Sequence, residues 1–344
     1  MAERAPTGID LTSFARWAET ALPQFRAPFT ADIITGGQSN ITAHLADGDG
    51  REFVVRRPPL HGVLPTAHDM GREHRIIAAL GPTPVPVPEA LAFCPDPAVI
   101  GAPFYAMSYV AGVVLNDLVT ADAKLDLAAR AQSGESLVDA LVALHAVDVD
   151  SVGLGDLARR DELIARQLKR WHAQFEASKT RDLAAVDRVH GVLAARIPEQ
   201  RESTIVHGDF RLGNCIVDDR GEILAVLDWE ICTLGDPRAD VGYILATWAE
   251  HGDSLRADDH NPTLAPGFTT RAALLERYAE RSGRDVEAIP YFVAFSFWRL
   301  ACILEGVLSR IISGARGDTD VDVDYFRRRV DSCARLAEEY ASGL

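Results

Sequence analysis

A change of periodicity near residue 110 constrains this chain more than any other feature. Before it, short runs alternate apolar and polar residues with the two-residue period of strands: ADIIT at 31–35, ITAHLAD at 41–47 and REFVVRR at 51–57. EALAFCPD (89–96) and APFYAMSYVAG (102–112) extend the pattern after the proline-rich run GPTPVPVPE (81–89), which cannot be helical. Two helices are expected in this part, one over 10–22 and one through AHDMGREHRIIAAL (67–80) with Thr66 as its cap. Beyond Gly112 the apolar positions recur at helical spacing over 123–147, 160–176, 181–197, 236–249, 269–282, 286–313 and 322–342. Only a hairpin pattern at 204–228 interrupts them. The expected architecture is α+β and bilobal. A small lobe (1–110) holds a five-stranded antiparallel sheet with one helix inserted after the third strand, and a larger, mostly helical lobe (111–344) holds the hairpin. Clefts between lobes are a usual place for ligand sites.

The 344 residues suffice for one large or two medium domains. A formal net charge of -15 opposes a general nucleic-acid or anionic-membrane binder, because either partner calls for a basic field. The N-terminal stretch carries early acids and no apolar core of a signal peptide, and no unbroken run of about 18 apolar residues occurs. A cytoplasmic protein is expected. The five cysteines (Cys94, Cys215, Cys232, Cys302, Cys333) form no CxxC pair and are odd in number, so reduced, buried thiols are expected. Nothing in the pattern specifies an oligomeric state.

The chemistry concentrates in HGDFRLGNCIVDDRGEILAVLDWE, residues 207–230. Asp209 follows an apolar strand and enters a loop, and Asn214 comes five positions later. Asp218–Gly221 turns the hairpin, and its second strand delivers Asp228 back beside Asn214. A carboxylate can orient or take a hydroxyl proton, while an amide oxygen and a second carboxylate can hold magnesium against a triphosphate. Neither histidine nor cysteine joins the set, which favours a hard cation. Taken singly, Asp209 and Asn214 could cap turns and Asp228 could end a strand; the ordered set is what points to phosphoryl transfer.

HGDFRLGN and LDWE resemble the catalytic and metal-binding motifs of the aminoglycoside phosphotransferase and choline kinase group, relatives of the protein kinases. LGDPRADVGY (234–243) is also typical of that group, and the nearest likeness is to phosphotransferases related to the domain fused to acyl-CoA dehydrogenases. The resemblance runs roughly from Ile33 to Tyr340. It implies that Asp209 is the catalytic base and that Asn214 and Asp228 hold Mg2+. It also implies a protein-kinase-like fold, ATP as donor and a small-molecule hydroxyl as acceptor. Arg211 falls where many protein kinases carry a lysine that neutralises the transferring phosphate; a structural salt bridge, for example to Asp240, is the other reading.

The relatives hold the nucleotide phosphates with a lysine on the third strand, paired to a glutamate on the next helix. Here every base before Lys124 is arginine or histidine. Strand alternation points Arg56 inward, with Glu73 as its partner; a surface arginine beside Arg57 is the alternative. Gly36, Gly37 and Ser39, in the turn GGQSN, sit where the relatives cover the phosphates. Met107 to Val110, with Tyr109 among them, read as the connector at the adenine edge or as a core strand. The arginine motivates a rival function, a nucleotide-binding pseudokinase acting as a regulatory or scaffold module.

Other clusters read as structure. His61, His68 and His74 fit no zinc spacing, and Asp318, Asp320, Asp322 and Asp324 lack the glycine and glutamate of a calcium loop. Trp229 and Trp248 are core aromatics or, for one of them, an acceptor wall. Glu250, Asp253, Asp258 and Asp259 suit either a cationic antibiotic or a solvent-facing loop. The kinship with dehydrogenase-fused domains suggests a hydroxyacyl compound or another metabolic alcohol.

Overall fold

The computed structural model describes residues 8–34, 40–59, 69–253, 255, 258–314 and 322–344. The chain divides into two compact units, Met1–Gly112 with Leu224–Ile231, and Val113–Ile223 with Cys232–Leu344. The second strand of the hairpin therefore counts mostly with the first unit, where sequence reasoning had kept it among the helices.

In the first unit Asp10 caps α1 (Leu11–Ala21) through the amides of Thr12 and Ser13. Strands β1 (Thr30–Ile33), β2 (Ile41–Ala46), β3 (Glu52–Arg57), β4 (Ala90–Cys94) and β5 (Phe104–Ser108) form one sheet in the order β1-β2-β3-β5-β4. All its neighbours are antiparallel. The tight turn between β2 and β3 is held by Asp47, whose carboxylate accepts from the amides of Arg26, Asp49 and Arg51. Between β3 and β4 runs α2 (Met70–Leu80), capped by Asp69; Thr66, the expected cap, lies outside the described residues.

The sheet is covered on both faces, and this sets the side-chain logic. Ala43, Leu45, Phe53, Val55, Phe104 and Ala106 share a core with Phe14 and Ala18 of α1. Arg56 and Tyr105 are cross-strand partners on the other face, where both reach Glu73 of α2. Burial is therefore continuous over Phe53–Arg57 and does not alternate. Arg57 is buried too, through hydrogen bonds to the carbonyls of Gly8 and Ile100, so neither arginine is a surface residue.

In the second unit α4 (Leu127–His145) fills the helix expected over 123–147, and a short α3 (Leu118–Lys124) precedes it. The two are separated at Asp126, whose carboxylate caps the Ala129 amide at 2.8 Å. Then follow α5 (Leu163–Ser178), α6 (Ala184–Ala195), β6 (Thr204–Val206), β7 (Cys215–Val217), β8 (Ile223–Val226) and β9 (Thr233–Gly235). The unit is completed by α7 (Arg238–Thr247), α8 (Arg271–Ser282), α9 (Ile289–Ile312) and α10 (Val323–Ser342). Helix α9 is the core, packed against α5, α7 and α10. Among the described residues it is the one helix long and apolar enough to cross a membrane, yet 78% of its apolar window is buried. Arg299 and Glu305 interrupt its apolar run, and both are buried and hydrogen-bonded.

Candidate active site

The first unit gathers a compact charge cluster on the α2 face of its sheet. Arg56 Nη2 lies 2.6 Å from Asp228 Oδ1, and Arg56 Nε lies 3.3 Å from Glu73 Oε2. Tyr105 donates its hydroxyl to Glu73 Oε2 at 3.0 Å. Asn40 Nδ2 bridges Glu73 Oε1 and Glu230 Oε2, each at 3.3 Å. The sequence pairs Arg56 with Glu73. The guanidinium instead divides itself between two carboxylates, and its Nε contact is electrostatic only, without hydrogen-bond geometry. Burial opposes the Arg56 charge; Tyr105, Glu73 and Asp228 outweigh it, so the guanidinium holds its proton more firmly than usual. Burial, with the nearby Asp228 charge, pushes the Glu73 carboxyl up although Arg56 pulls it down.

Asp228 has a positive φ of 66°, a left-handed conformation uncommon for a non-glycine residue and one that aspartate tolerates better than most. It follows β8, which Val226 ties to the proline run by donating to the Pro86 carbonyl at 2.8 Å. The next residue, Trp229, is fully buried, and its indole donates to the Val226 carbonyl at 3.1 Å. The kinked backbone thus has a rigid hydrophobic plug behind it, which can sustain such strain.

The second unit presents the HGD loop. Strand β6 pairs antiparallel with β9 and leads into it. The amides of His207 and Gly208 both donate to Asp240 on α7, at 2.7 and 2.8 Å. Gly208 turns the chain with a φ of 86°, which a side chain would resist, and its carbonyl accepts from Arg299 Nη2 at 2.6 Å. Asp209 then projects from a backbone gripped on both sides. Asn214 Nδ2 donates to the Asp209 carbonyl at 2.8 Å and to Oδ2 at 2.7 Å, which turns its amide oxygen away from Asp209. Tyr243 is buried, and burial together with the Asp209 charge raises its phenol well above the ordinary range. Arg211 Nε lies 3.4 Å from Asp209 Oδ1. The alternative Arg211 partner, Asp240, spends its oxygens on the loop amides and on His145.

Asp240 is completely buried, and burial raises its carboxyl; His145, His207 and the Gly208 amide overcome that, leaving it lowered. Burial pushes the His145 imidazole below its ordinary value. Its Nε2 then donates to Asp240, and its Nδ1 accepts from Tyr278 at 2.9 Å. The expected acidic turn follows: Asp218 N donates to the Glu222 carbonyl at 3.0 Å, and the Asp218 carboxylate takes the Arg220 and Glu222 amides.

Of the remaining expected residues, Gly36, Gly37 and Ser39 lie outside the described residues. Met107 belongs to β5 and is buried opposite Val54, a core-strand position; the strand ends at Ser108, and half-exposed Tyr109 packs tilted against His44 with ring centroids 4.5 Å apart. The five cysteines are free and buried, with Cys215 raised by burial to about 12, an inert thiol. His61 and His68 are outside the described residues, and His74 sits in α2 beside Phe93. Asp322 caps α10, and Asp318 and Asp320 are outside the described residues. Sequence reasoning missed Asn40, Tyr105, Glu230, His145, Tyr243 and Arg299. Tyr105 alone left a trace, since pairing β3 with β5 sets it opposite Arg56.

A cavity of about 220 Å³ in the second unit is lined by Trp248, Asp253, Asp258, Arg271, Phe297 and Tyr340, among others. Of its acids, Asp253 binds Arg271 and Asp258 binds Tyr325 and Arg329; Glu250, which is not among the lining residues, also binds Arg271. A histidine–carboxylate group on α5 and α6 (His172, Glu176, Asp187) is exposed, and its members pair with one another and with Lys179.

The fold and the HGD loop define a class, the kinase-like phosphotransferases that act on small molecules. The chain belongs to the phosphotransferase enzyme family, which it matches over residues 30–287. Acyl-CoA dehydrogenase family member 10 of Mus musculus is 34% identical over 310 residues, covering 89% of this chain and 28% of that protein. The chain thus spans well under half the length of that relative. A crystal structure from Ralstonia eutropha JMP134, provisionally named an aminoglycoside phosphotransferase, is 31% identical with a TM-score of 0.81, covering 97% of this chain and 98% of that one. Choline kinase from Cryptosporidium parvum Iowa II shares the fold at 10% identity, with a TM-score of 0.64 and 97% of each chain covered.

Proposed function

We propose that this protein transfers the γ-phosphate of ATP to a hydroxyl of a small molecule. The observation that carries the reading is Asp209, an aspartate on a loop whose backbone is fixed by Asp240 and Arg299 and whose carboxylate is held by Asn214. A carboxylate so placed can orient the acceptor hydroxyl and take its proton. Arg211, beside it, can neutralise the phosphate in flight. Arg56, steadied by Glu73, holds the phosphates on the nucleotide side.

The donor chemistry suits magnesium. Asn214 spends its nitrogen on Asp209 and so offers an oxygen, and Asp228 offers a carboxylate; an all-oxygen set matches a hard cation. When bound, the ion would neutralise charge on the triphosphate. Catalysis otherwise rests on positioning and electrostatics, with no covalent intermediate.

The acceptor we favour is a hydroxyacyl compound or similar metabolic alcohol. The kinship with the acyl-CoA dehydrogenase family member supports it. A cationic antibiotic would need unpaired carboxylates, whereas three of the four candidate acids, Glu250, Asp253 and Asp258 but not Asp259, are committed to arginines.

The test is ADP release from purified protein with ATP and Mg2+ against aminoglycosides, sugars, choline-like alcohols and hydroxyacyl thioesters. Asp209→Ala and Asp228→Ala should each lower turnover by about 10²–10⁴-fold. Turnover that survives both would overturn the assignment. Nucleotide binding without turnover on any acceptor would favour the pseudokinase, a reading that the Arg56–Asp228 contact keeps in play.

A further inference from the structure

We propose that His172, Glu176 and Asp187 form a surface site for a divalent transition-metal ion of the zinc type, clamping α5 to α6. Nothing in it depends on phosphoryl transfer. Helix periodicity supplies the geometry. His172 and Glu176 stand one turn apart on α5, at i and i+4, so both project from one face. Asp187 and His190 stand at i and i+3 on α6, which packs against α5. Each helix thus brings one imidazole and one carboxylate. His172 Nε2 lies 3.0 Å from Asp187 Oδ1, and the ligand atoms of His172, Glu176 and Asp187 all fall within 4.8 Å of one another. Adjacent ligands of a tetrahedral zinc ion, with bonds of about 2.0–2.2 Å, sit roughly 3.3–3.6 Å apart. The His172–Asp187 pair already meets that spacing, and a rotamer change of the exposed Glu176 can close the rest.

The imidazole is held in advance. His190 lies flat on His172, with ring centroids 4.0 Å apart and planes 8° from parallel, and the buried Trp298 of α9 stacks behind His190 at 5.6 Å. Trp298 is itself fixed, donating its indole N–H to the Val186 carbonyl at 3.0 Å. Burial, and then the neighbouring His172, push the His190 imidazole below its ordinary value, which favours an uncharged ring beside a cation. An interhelical ion pair would need only His172 and Asp187. It accounts neither for a second carboxylate one turn along nor for a stacked brace on the imidazole. One imidazole and two carboxylates, with the remaining positions open to water, suit zinc and its neighbours better than magnesium, which prefers oxygen alone. Glu176 is now held by Lys179, whose Nζ lies 2.8 and 3.0 Å from its two oxygens. Ammonium and metal therefore compete for one carboxylate.

That competition supplies the test. The whole chain, stripped by chelator, is titrated with Zn2+ by calorimetry in excess Mg2+, which fills oxygen-only sites. A saturable Zn2+ site is expected in the wild type. His172→Ala and Asp187→Asn should each weaken it about tenfold or more. Lys179→Ala should strengthen it, because Glu176 is then free to turn to the ion; a plain salt-bridge cluster has no reason to respond in that direction. The substitutions fall on exposed or half-buried positions and leave the core untouched, which the metal-free unfolding midpoint checks. The absence of a saturable Zn2+ site would overturn the assignment. So would an affinity unmoved by His172→Ala or Asp187→Asn, or one unmoved or lowered by Lys179→Ala.

Discussion

The two halves of the candidate machinery are held by different kinds of bond. Around Asp209 the fixing contacts run to backbone: two amides on Asp240, one carbonyl on Arg299, another carbonyl on Asn214. Around Arg56 they run between side chains, with one guanidinium shared by Glu73 and Asp228 and one amide shared by Glu73 and Glu230. Backbone contacts to a buried ion leave nothing to rearrange. Shared side-chain contacts can be re-partnered when a phosphate or a cation arrives. One region is built as a fixed anvil and the other as a set of charges waiting for a ligand.

Three experiments could break or sharpen this contrast. The largest effect belongs to Asp240→Ala, which strips two buried amides and a buried histidine of their acceptor. A loss of about 3–5 kcal/mol in denaturant unfolding is expected. Arg56→Gln should cost less, about 1–3 kcal/mol, because Asp228 is 27% exposed and can rehydrate. That variant has a signature of its own: with Asp228 Oδ1 released, Mn2+ without nucleotide should raise its unfolding midpoint more than it does for the wild type. Equal stability losses for the two substitutions, or no metal difference, would erase the distinction drawn here.

The smallest expected effect is a pH dependence in the fixed half. His145 has a folded pKa below its ordinary 6.5, because burial disfavours the imidazolium. As pH falls below about 6.5 the unfolded chain takes up a proton that the folded chain refuses, so stability falls with pH until the folded pKa is reached. The slope from this one group is at most about 1.4 kcal/mol per pH unit. His74 and His190 share the direction, also through burial, so the contribution of His145 is read as the flattening of the curve in His145→Gln. An unflattened curve would show that Asp240 keeps its ion without the histidine.

Most of the fold was legible because composition and punctuation were clean: five short strand-like runs, one inserted helix, then long helices. The exceptions have physical causes. Helix α3 begins ahead of the helical run at 123–147 because Asp117 caps it through the Thr120 amide, and Asp126 starts α4 afresh. Phe53–Arg57 does not alternate because helices or charged partners cover both faces of β3. The motif residues Asp209, Asn214 and Asp228 announced themselves by spacing. Their supports did not, since His145 and Arg299 come from α4 and α9 and reach the loop, through Asp240 or directly, only after those helices pack. A short motif can encode a reacting group, but the means of holding it still is distributed over the whole helical unit.

Arg56 has a practical corollary. No lysine precedes Lys124, and the segment 224–231 contains none, so the Arg56 cluster holds no primary amine. Nucleotide analogues that trap an amine through an aldehyde or an activated ester have nothing there to capture, and amine acetylation has no target there. Vicinal dicarbonyls, which condense with guanidinium groups, are the matching reagents. A chemical-proteomic survey of kinases built on lysine capture would pass over this cluster, whatever its activity.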